Sequence, residues 1–266
     1  MIALARAIGF AALLACAAAL AASQARAGAW TAPQGEGLLI ETLYGWTGDG
    51  APWGGNKGVW QDRFDAETYA EYGLTDDWTI FSEMAIERYQ LGEPTPNLYA
   101  GLDYSEIGLR RRLWSTGGWV LSGEATFFVP GARNPDAPAQ EGNTGRAEEA
   151  RLSAGANFSL GAWPGFVDGE IAYRVRTAGP PDEWHADATL GLKPAPGWII
   201  MVQDFTTISM WSSKREFPAW RASILEESLV VPLDAHWSLQ FGLFASVLAV
   251  KTNTERGAAV AVWRRF

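Results

Sequence analysis

From Gly35 onward the chain alternates between apolar and polar positions. Phe64, Ala66, Thr68, Ala70, Tyr72 and Leu74 share one face of an extended segment, with Asp65, Glu67 and Glu71 on the other. Successive side chains of a strand point to opposite faces, so a period of two marks a strand with one apolar and one charged side. After Thr75-Asp76-Asp77 the pattern restarts, with Trp78, Ile80 and Met84 set against Glu83 and Glu87. Similar segments recur to the C-terminus, and no convincing helical periodicity interrupts them. They predict twelve strands, at about 37–47, 63–74, 78–90, 102–114, 118–129, 148–160, 166–177, 183–193, 198–210, 219–231, 237–249 and 256–266, with ten or fourteen as alternatives. The ninth and tenth have an ambiguous phase.

The connections alternate in length. Short breaks follow the even strands, such as Ser115-Thr116-Gly117 and Pro194 to Gly197. Several odd strands are followed by long stretches rich in Gly, Pro and Asn, including Gly48 to Trp60, Gly92 to Gly101 and Pro130 to Arg146. Outer-membrane barrels are built this way, with short turns at the periplasmic side. The faces agree. Ala150, Leu152 and Ala154 oppose Glu149, Arg151 and Ser153; Ile171, Tyr173 and Val175 oppose Asp168, Glu170, Arg174 and Arg176; Trp184, Ala186 and Ala188 oppose His185 and Asp187. Hydrocarbon satisfies no open sheet edge, so spanning strands must close. A basic side chain facing lipid near the midplane costs about 2–4 kcal/mol, which turns the charged stripes inward. The expected fold is therefore all-β, a closed antiparallel transmembrane β-barrel over residues 28–266. A soluble barrel or sandwich is the alternative.

Tryptophan placement fits two interfacial belts. Trp78, Trp114, Trp119, Trp163, Trp198 and Trp237 lie in or beside short turns, while Trp46, Trp60, Trp184, Trp211 and Trp220 cluster toward the long connections. Ordinary core tryptophans would have no reason to gather at strand ends.

The first 27 residues read differently. Arg6, an Ala/Leu-rich run from Ala7 to Ala22, and Ala25-Arg26-Ala27 form a secretory signal peptide with cleavage expected after Ala27. A membrane anchor and a lipoprotein site at Cys16 are the competing readings; the run is short for an anchor and continues past Cys16. Cleavage removes the one cysteine and two arginines, so the formal charge of −9 becomes −11 and the mature chain has no thiol chemistry. That balance argues against nucleic acid as a partner. After residue 27, charges or prolines break every run long enough for a membrane helix.

The expected partners are outer-membrane lipid, a polar solute, and the barrel-insertion machinery, the last through Phe266 at the end of an alternating strand. Arg264 departs from the usual apolar residue two places before such an end. Inward candidates are Glu41, Asp65, Glu67, Glu71, Glu83, Glu87, Glu106, Arg110, Arg112 and Glu124, then Glu149, Arg151, Asp168, Glu170, Arg174, Arg176, His185 and Asp187. Acids dominate the second and third strands, and arginines cluster on the fourth and seventh. Two readings stay open: a wet passage for a polar or charged solute, or a lumen closed by mutual ion pairs.

Other chemistry is sparse. His185 and Asp187 share a face, which suits a hydrolase only if a serine joins them, and no G-x-S-x-G is present. His236 reads as a surface residue in a turn. Asn134, Asp136, Glu141 and Asn143 are oxygen-rich without a calcium-loop spacing. Gly48-Asp49-Gly50 and Gly54-Gly55-Asn56 precede no helix and so form no phosphate cradle. No cofactor, metal site or enzymatic activity is expected.

Gly28-Ala29-Trp30-Thr31 with Gly35-Glu36-Gly37, then Ala70 to Asp76, Pro130-Gly131-Ala132-Arg133 and Trp263-Arg264-Arg265-Phe266, resemble the XagA-like family of exported bacterial proteins. The resemblance implies a Gram-negative outer-membrane protein tied to surface polysaccharide, and supplies no functional residues. The organisation is more distantly similar to outer-membrane channels associated with catabolism of aromatic compounds.

Overall fold

The computed structural model describes residues 28–49, 60–92, 97–131, 145–177, 181–210 and 219–266. The strands are Gly37–Asp49 (β1), Trp60–Thr75 (β2), Trp78–Leu91 (β3), Asn97–Thr116 (β4), Trp119–Pro130 (β5), Ala147–Leu160 (β6), Trp163–Arg176 (β7), Glu183–Leu192 (β8), Ile199–Ser209 (β9), Arg221–Pro232 (β10), Trp237–Val250 (β11) and Thr254–Arg265 (β12). Each pairs antiparallel with its sequence neighbour, and β1 pairs with β12 to close a barrel. The seam runs from Leu38 opposite Arg265 to Asp49 opposite Thr254, so no spanning edge is left unpaired. The largest departure from the expected boundaries is β4, which starts at Asn97. The expected leader, Trp211, Gly50, Gly54 to Asn56, and Asn134, Asp136, Glu141 and Asn143 lie outside the described residues.

Both ends of the barrel domain and the short turns gather at one end, here the turn end. In the β2–β3 turn, Thr75 Oγ1 accepts the backbone N–H groups of Asp77 (3.2 Å) and Trp78 (3.1 Å). In the β10–β11 turn, Asp234 Oδ1 accepts those of His236 (2.7 Å) and Trp237 (2.8 Å), and these bonds hold the Asp234 carboxyl below its usual range.

The outer face carries the apolar stripes. Phe64, Ile86, Ile107, Leu152, Ile171, Leu190 and Leu243 are all exposed to the outside. A band of this kind around a whole barrel far exceeds the patches tolerated on a soluble surface and matches a lipid-facing belt. Trp78, Trp114, Trp119, Trp163, Trp198 and Trp237 are exposed at the turn end, and Trp60 and Trp184 toward the other end. The Arg264 guanidinium lies 5.4 Å from the centroid of the Trp237 ring, so the basic residue near the C-terminus is accommodated at the interfacial belt.

Two expectations are corrected. Glu41 points outward, where its Oε2 accepts the Thr68 hydroxyl at 2.8 Å. Strand β1 is mostly apolar on both faces, so its alternation has too little contrast to set the phase. Trp46 points inward: its Nε1 donates to Asp65 Oδ2 at 3.4 Å, and Arg63 stacks 5.7 Å from its ring centroid. The phase of β9 and β10 is set by their partners, with Thr189 opposite Gln203 and Gln203 opposite Glu226 on the inner face.

Ile171→Arg places a guanidinium on the lipid side of mid-β7. It is expected to lower folding stability in lipid vesicles by about 2–4 kcal/mol in a urea titration. A loss below about 1 kcal/mol would mean that this face does not meet hydrocarbon.

Candidate functional site

The inner surface is divided into two walls. Strands β2 to β8 carry most of its ionised groups, organised around arginines. Arg63 reaches Asp65 (2.7 Å), Glu87 (3.1 Å) and Asp103 (2.8 Å). Arg110 joins Glu71 (3.2 Å) to Glu124 (2.9 Å). Arg151 contacts Glu149 (2.9 Å), Glu170 (2.6 Å) and Asp187 (2.6 Å). Arg174 also binds Glu149 (2.9 Å), and Arg176 binds Glu183 (2.7 Å). A guanidinium offers five donors in a fixed fork, so one arginine can serve several carboxylates from different strands.

Acids nevertheless exceed their partners. Among the described residues, Glu67, Glu83, Glu106 and Glu226 form no ion pair with a basic side chain. Glu83 takes its hydrogen bond from the Tyr104 hydroxyl (2.7 Å), and Glu226 from Gln240 Nε2 (3.4 Å).

The second wall, β9 to β12 with β1, presents Ile40, Thr42, Tyr44, Met201, Gln203, Phe205, Gln240 and Trp263. With Glu67, Tyr69, Glu83, Thr189 and Glu226 these residues surround a cavity of about 210 Å³. Below it, Leu38, Phe166, Ile199, Met201, Val230, Ala261 and Trp263 form an apolar cluster inside the barrel, against which Trp30 and Ile40 pack. The interior is thus not charged throughout.

Residues 28–34 cross the turn-end half of the lumen beneath the charged wall. Gln34 bridges Gly73, and Thr31 Oγ1 donates to the Asp76 carbonyl (2.7 Å). The Ala32 N–H meets Thr79 Oγ1 (2.7 Å), and Arg110 Nη1 donates to the Trp30 carbonyl (3.2 Å). Ser122 donates to the Ala29 carbonyl, and the Ala29 N–H reaches Asp168 Oδ2 (3.1 Å). Ala29 and Ala32 are fully buried. Two inward glycines make the groove: a Cβ on Gly73 would stand 2.0 Å from the Pro33 carbonyl oxygen, and one on Gly155 2.4 Å from the Trp30 ring. Trp30 meets Phe166 edge-on, with ring centroids 5.9 Å apart.

The expected inward residues are placed as follows. Asp65, Glu67, Glu71, Glu83, Glu87, Glu106, Arg110, Glu124, Glu149, Arg151, Asp168, Glu170, Arg174, Arg176, His185 and Asp187 all lie on the inner face. Arg112 instead sits at the turn-end rim, with Nη2 2.6 Å from Asp77 Oδ1. The His185–Asp187 pairing does not form: Asp187 is held by Arg151, while His185 Nδ1 faces the Thr207 hydroxyl (3.3 Å) and Nε2 faces Glu183 (3.5 Å). His236 is exposed in its turn.

Sequence reasoning missed Arg63, Asp103, Glu183 and Glu226, and the whole of residues 28–34 as an interior segment. Arg63 and Glu183 share parity with Asp65 and His185 and were legible. Asp103 was not, because an extra residue in β4, between the pairs Met84–Ser105 and Ile86–Leu102, changes its parity.

No protein-family model matches the sequence, and a comparison with curated proteins finds no match. Among solved structures the barrel is similar to an outer membrane channel from Pseudomonas putida F1, with a TM-score of 0.65 and 15% identity over 91% of this chain and 100% of that one. It is also similar to the translocator domain of the autotransporter NalP from Neisseria meningitidis (TM-score 0.54, 11% identity, 88% and 90% covered) and to the NanC porin (TM-score 0.54, 7% identity, 84% and 98% covered). At such identities the likeness is one of fold.

Arg151→Met leaves Glu149, Glu170 and Asp187 facing each other in the lumen. It should cost about 3–5 kcal/mol in the urea titration. Arg112→Met, whose partner Asp77 is exposed, should cost less than about 1 kcal/mol. Equal losses would show that the interior network is as well hydrated as the rim.

Proposed function

We propose that this chain is a Gram-negative outer-membrane channel for a small polar solute, with a preference for cations, closed on its periplasmic side by residues 28–33. The observation that carries the reading is the cavity of about 210 Å³ flanked by carboxylates that form no ion pair, directly above the apolar cluster and the N-terminal segment. A low-dielectric wall bearing one sign of charge concentrates ions of the opposite sign. The similarity in fold to an outer membrane channel and to a porin supports the placement in that membrane. The signal-peptide pattern and the aromatic residue at Phe266 support export and insertion by the barrel-assembly machinery.

The resemblance to XagA-like proteins extends the reading toward surface polysaccharide. A cavity of about 210 Å³, below the roughly 300–1,000 Å³ of ordinary ligand pockets, fits one small solute better than a polymer strand. The same filled periplasmic half also favours a second reading, a structural barrel with a permanently closed lumen.

Planar-bilayer recording separates the two. The mature protein should give small or rare conductance steps, and deletion of residues 28–33 should raise single-channel conductance severalfold. Reversal potentials in a KCl gradient should favour potassium over chloride, and that preference should fall in Glu67→Gln/Glu83→Gln. A deletion variant that folds and passes no current would establish the closed barrel instead.

A further inference from the structure

The end of the interior segment leaves an unexplained arrangement on β7. Asp168 and Glu170 are two residues apart on the inner face, with their carboxyl groups within hydrogen-bonding reach of each other. Like charges in contact are unfavourable unless a cation or proton lies with them. Arg151 takes Glu170 Oε2 (2.6 Å), and the Ala29 N–H takes Asp168 Oδ2 (3.1 Å). No hydrogen-bond donor reaches Asp168 Oδ1, although Asp168 is only 1% exposed. A buried carboxylate oxygen with no donor is costly, and few native groups are left so.

The group that lies against this site is Gly28. A Cβ at that position would stand 2.0 Å from Glu170 Oε1, so the Gly28 backbone is in contact with the Glu170 carboxyl, beside Asp168. In the unprocessed chain the Gly28 nitrogen is a peptide amide with one hydrogen and no charge. Hydrolysis of the Ala27–Gly28 bond by the leader-removing peptidase changes that. Water gives its oxygen to the Ala27 carboxylate and its two hydrogens to the Gly28 nitrogen, leaving an α-ammonium with three donors. α-Amino groups are mostly protonated at neutral pH.

We infer that Asp168 and Glu170 form a binding site for a primary ammonium group, and that its ligand is the chain's own α-ammonium at Gly28, created by cleavage after Ala27. The inference rests on that cleavage position and is independent of whether the barrel conducts. Processing thereby gives Asp168 a cationic partner beside the Arg151 that already holds Glu170, and fastens the segment across the lumen. A side chain at the new terminus would have to displace the Glu170 carboxylate from its contact with Gly28.

The test uses the exported, purified full-length mature protein in detergent. Intact mass should place the N-terminus at Gly28; any other terminus overturns the inference. Acetylation of the α-amine by an N-hydroxysuccinimide ester, read by mass on the peptide Gly28 to Lys57, should be at least about tenfold slower in the folded barrel than in urea. Asp168→Asn preserves shape and the acceptor for Ala29 while removing the charge, and should abolish most of that protection. Protection unchanged in a folded Asp168→Asn barrel would mean simple enclosure and would overturn the site. A second variant guards against misfolding of the first. Thr31→Cys provides the only thiol of the mature chain, and a maleimide should label it at least about tenfold faster when Gly-Ser-Gly is inserted between Ala27 and Gly28. Equal labelling with and without the insertion would also sink the inference.

Discussion

Hydrocarbon offers no hydrogen-bond partner to a peptide group, and the architecture follows from that. The β1–β12 seam satisfies the last free edge, and closure gives every strand one side toward lipid and one toward an enclosed interior. Twelve strands enclose more space than inward side chains of ordinary size fill, so the interior needs further content. Here it comes from three sources: arginine–carboxylate networks on one wall, an apolar cluster on the other, and the segment 28–34 laid between them.

The two walls solve different problems. On the charged wall, carboxylates from neighbouring strands converge on shared guanidinium groups, and Glu149 alone meets both Arg151 and Arg174. Such groups are tolerated because their mutual attraction offsets the desolvation cost of each, not because the pair adds much net stability. Trp263 and Met201 of the second wall, with Phe166 of β7, give Trp30 an apolar seat, while the backbone of residues 29–32 takes its polar contacts from Arg110, Thr79, Ser122 and Asp168. The segment is held by both kinds of chemistry. The cavity above it retains Glu67, Glu83 and Glu226, none of which forms an ion pair among the described residues.

Much of this was readable one strand at a time. On β6, β7 and β8 most charged residues share one parity, with Glu148 as the exception, and the inner face could be assigned residue by residue. Where both faces are apolar, as on β1, β9 and β10, the same reasoning loses its signal, and Glu41 was assigned to the wrong side. A tryptophan near a long connection can belong to the interface or to the lumen, and Trp46 shows that a neighbouring Arg63–Asp65 pair decides which. The extra residue in β4 brought Asp103 inward against its parity, an event without a composition signature.

Local alternation, the spacing of turns and the price in free energy of a charge in lipid are properties of short stretches, and from them the chain's class, strand count and outward face follow. Which carboxylate meets which arginine does not. Those partners come from strands far apart in sequence whose register is set by the closed sheet, as Arg151 and Asp187 illustrate, 36 residues apart. The seating of Ala29 against Asp168, across 139 residues, has no periodicity to announce it and exists only once the barrel has formed the groove that receives it.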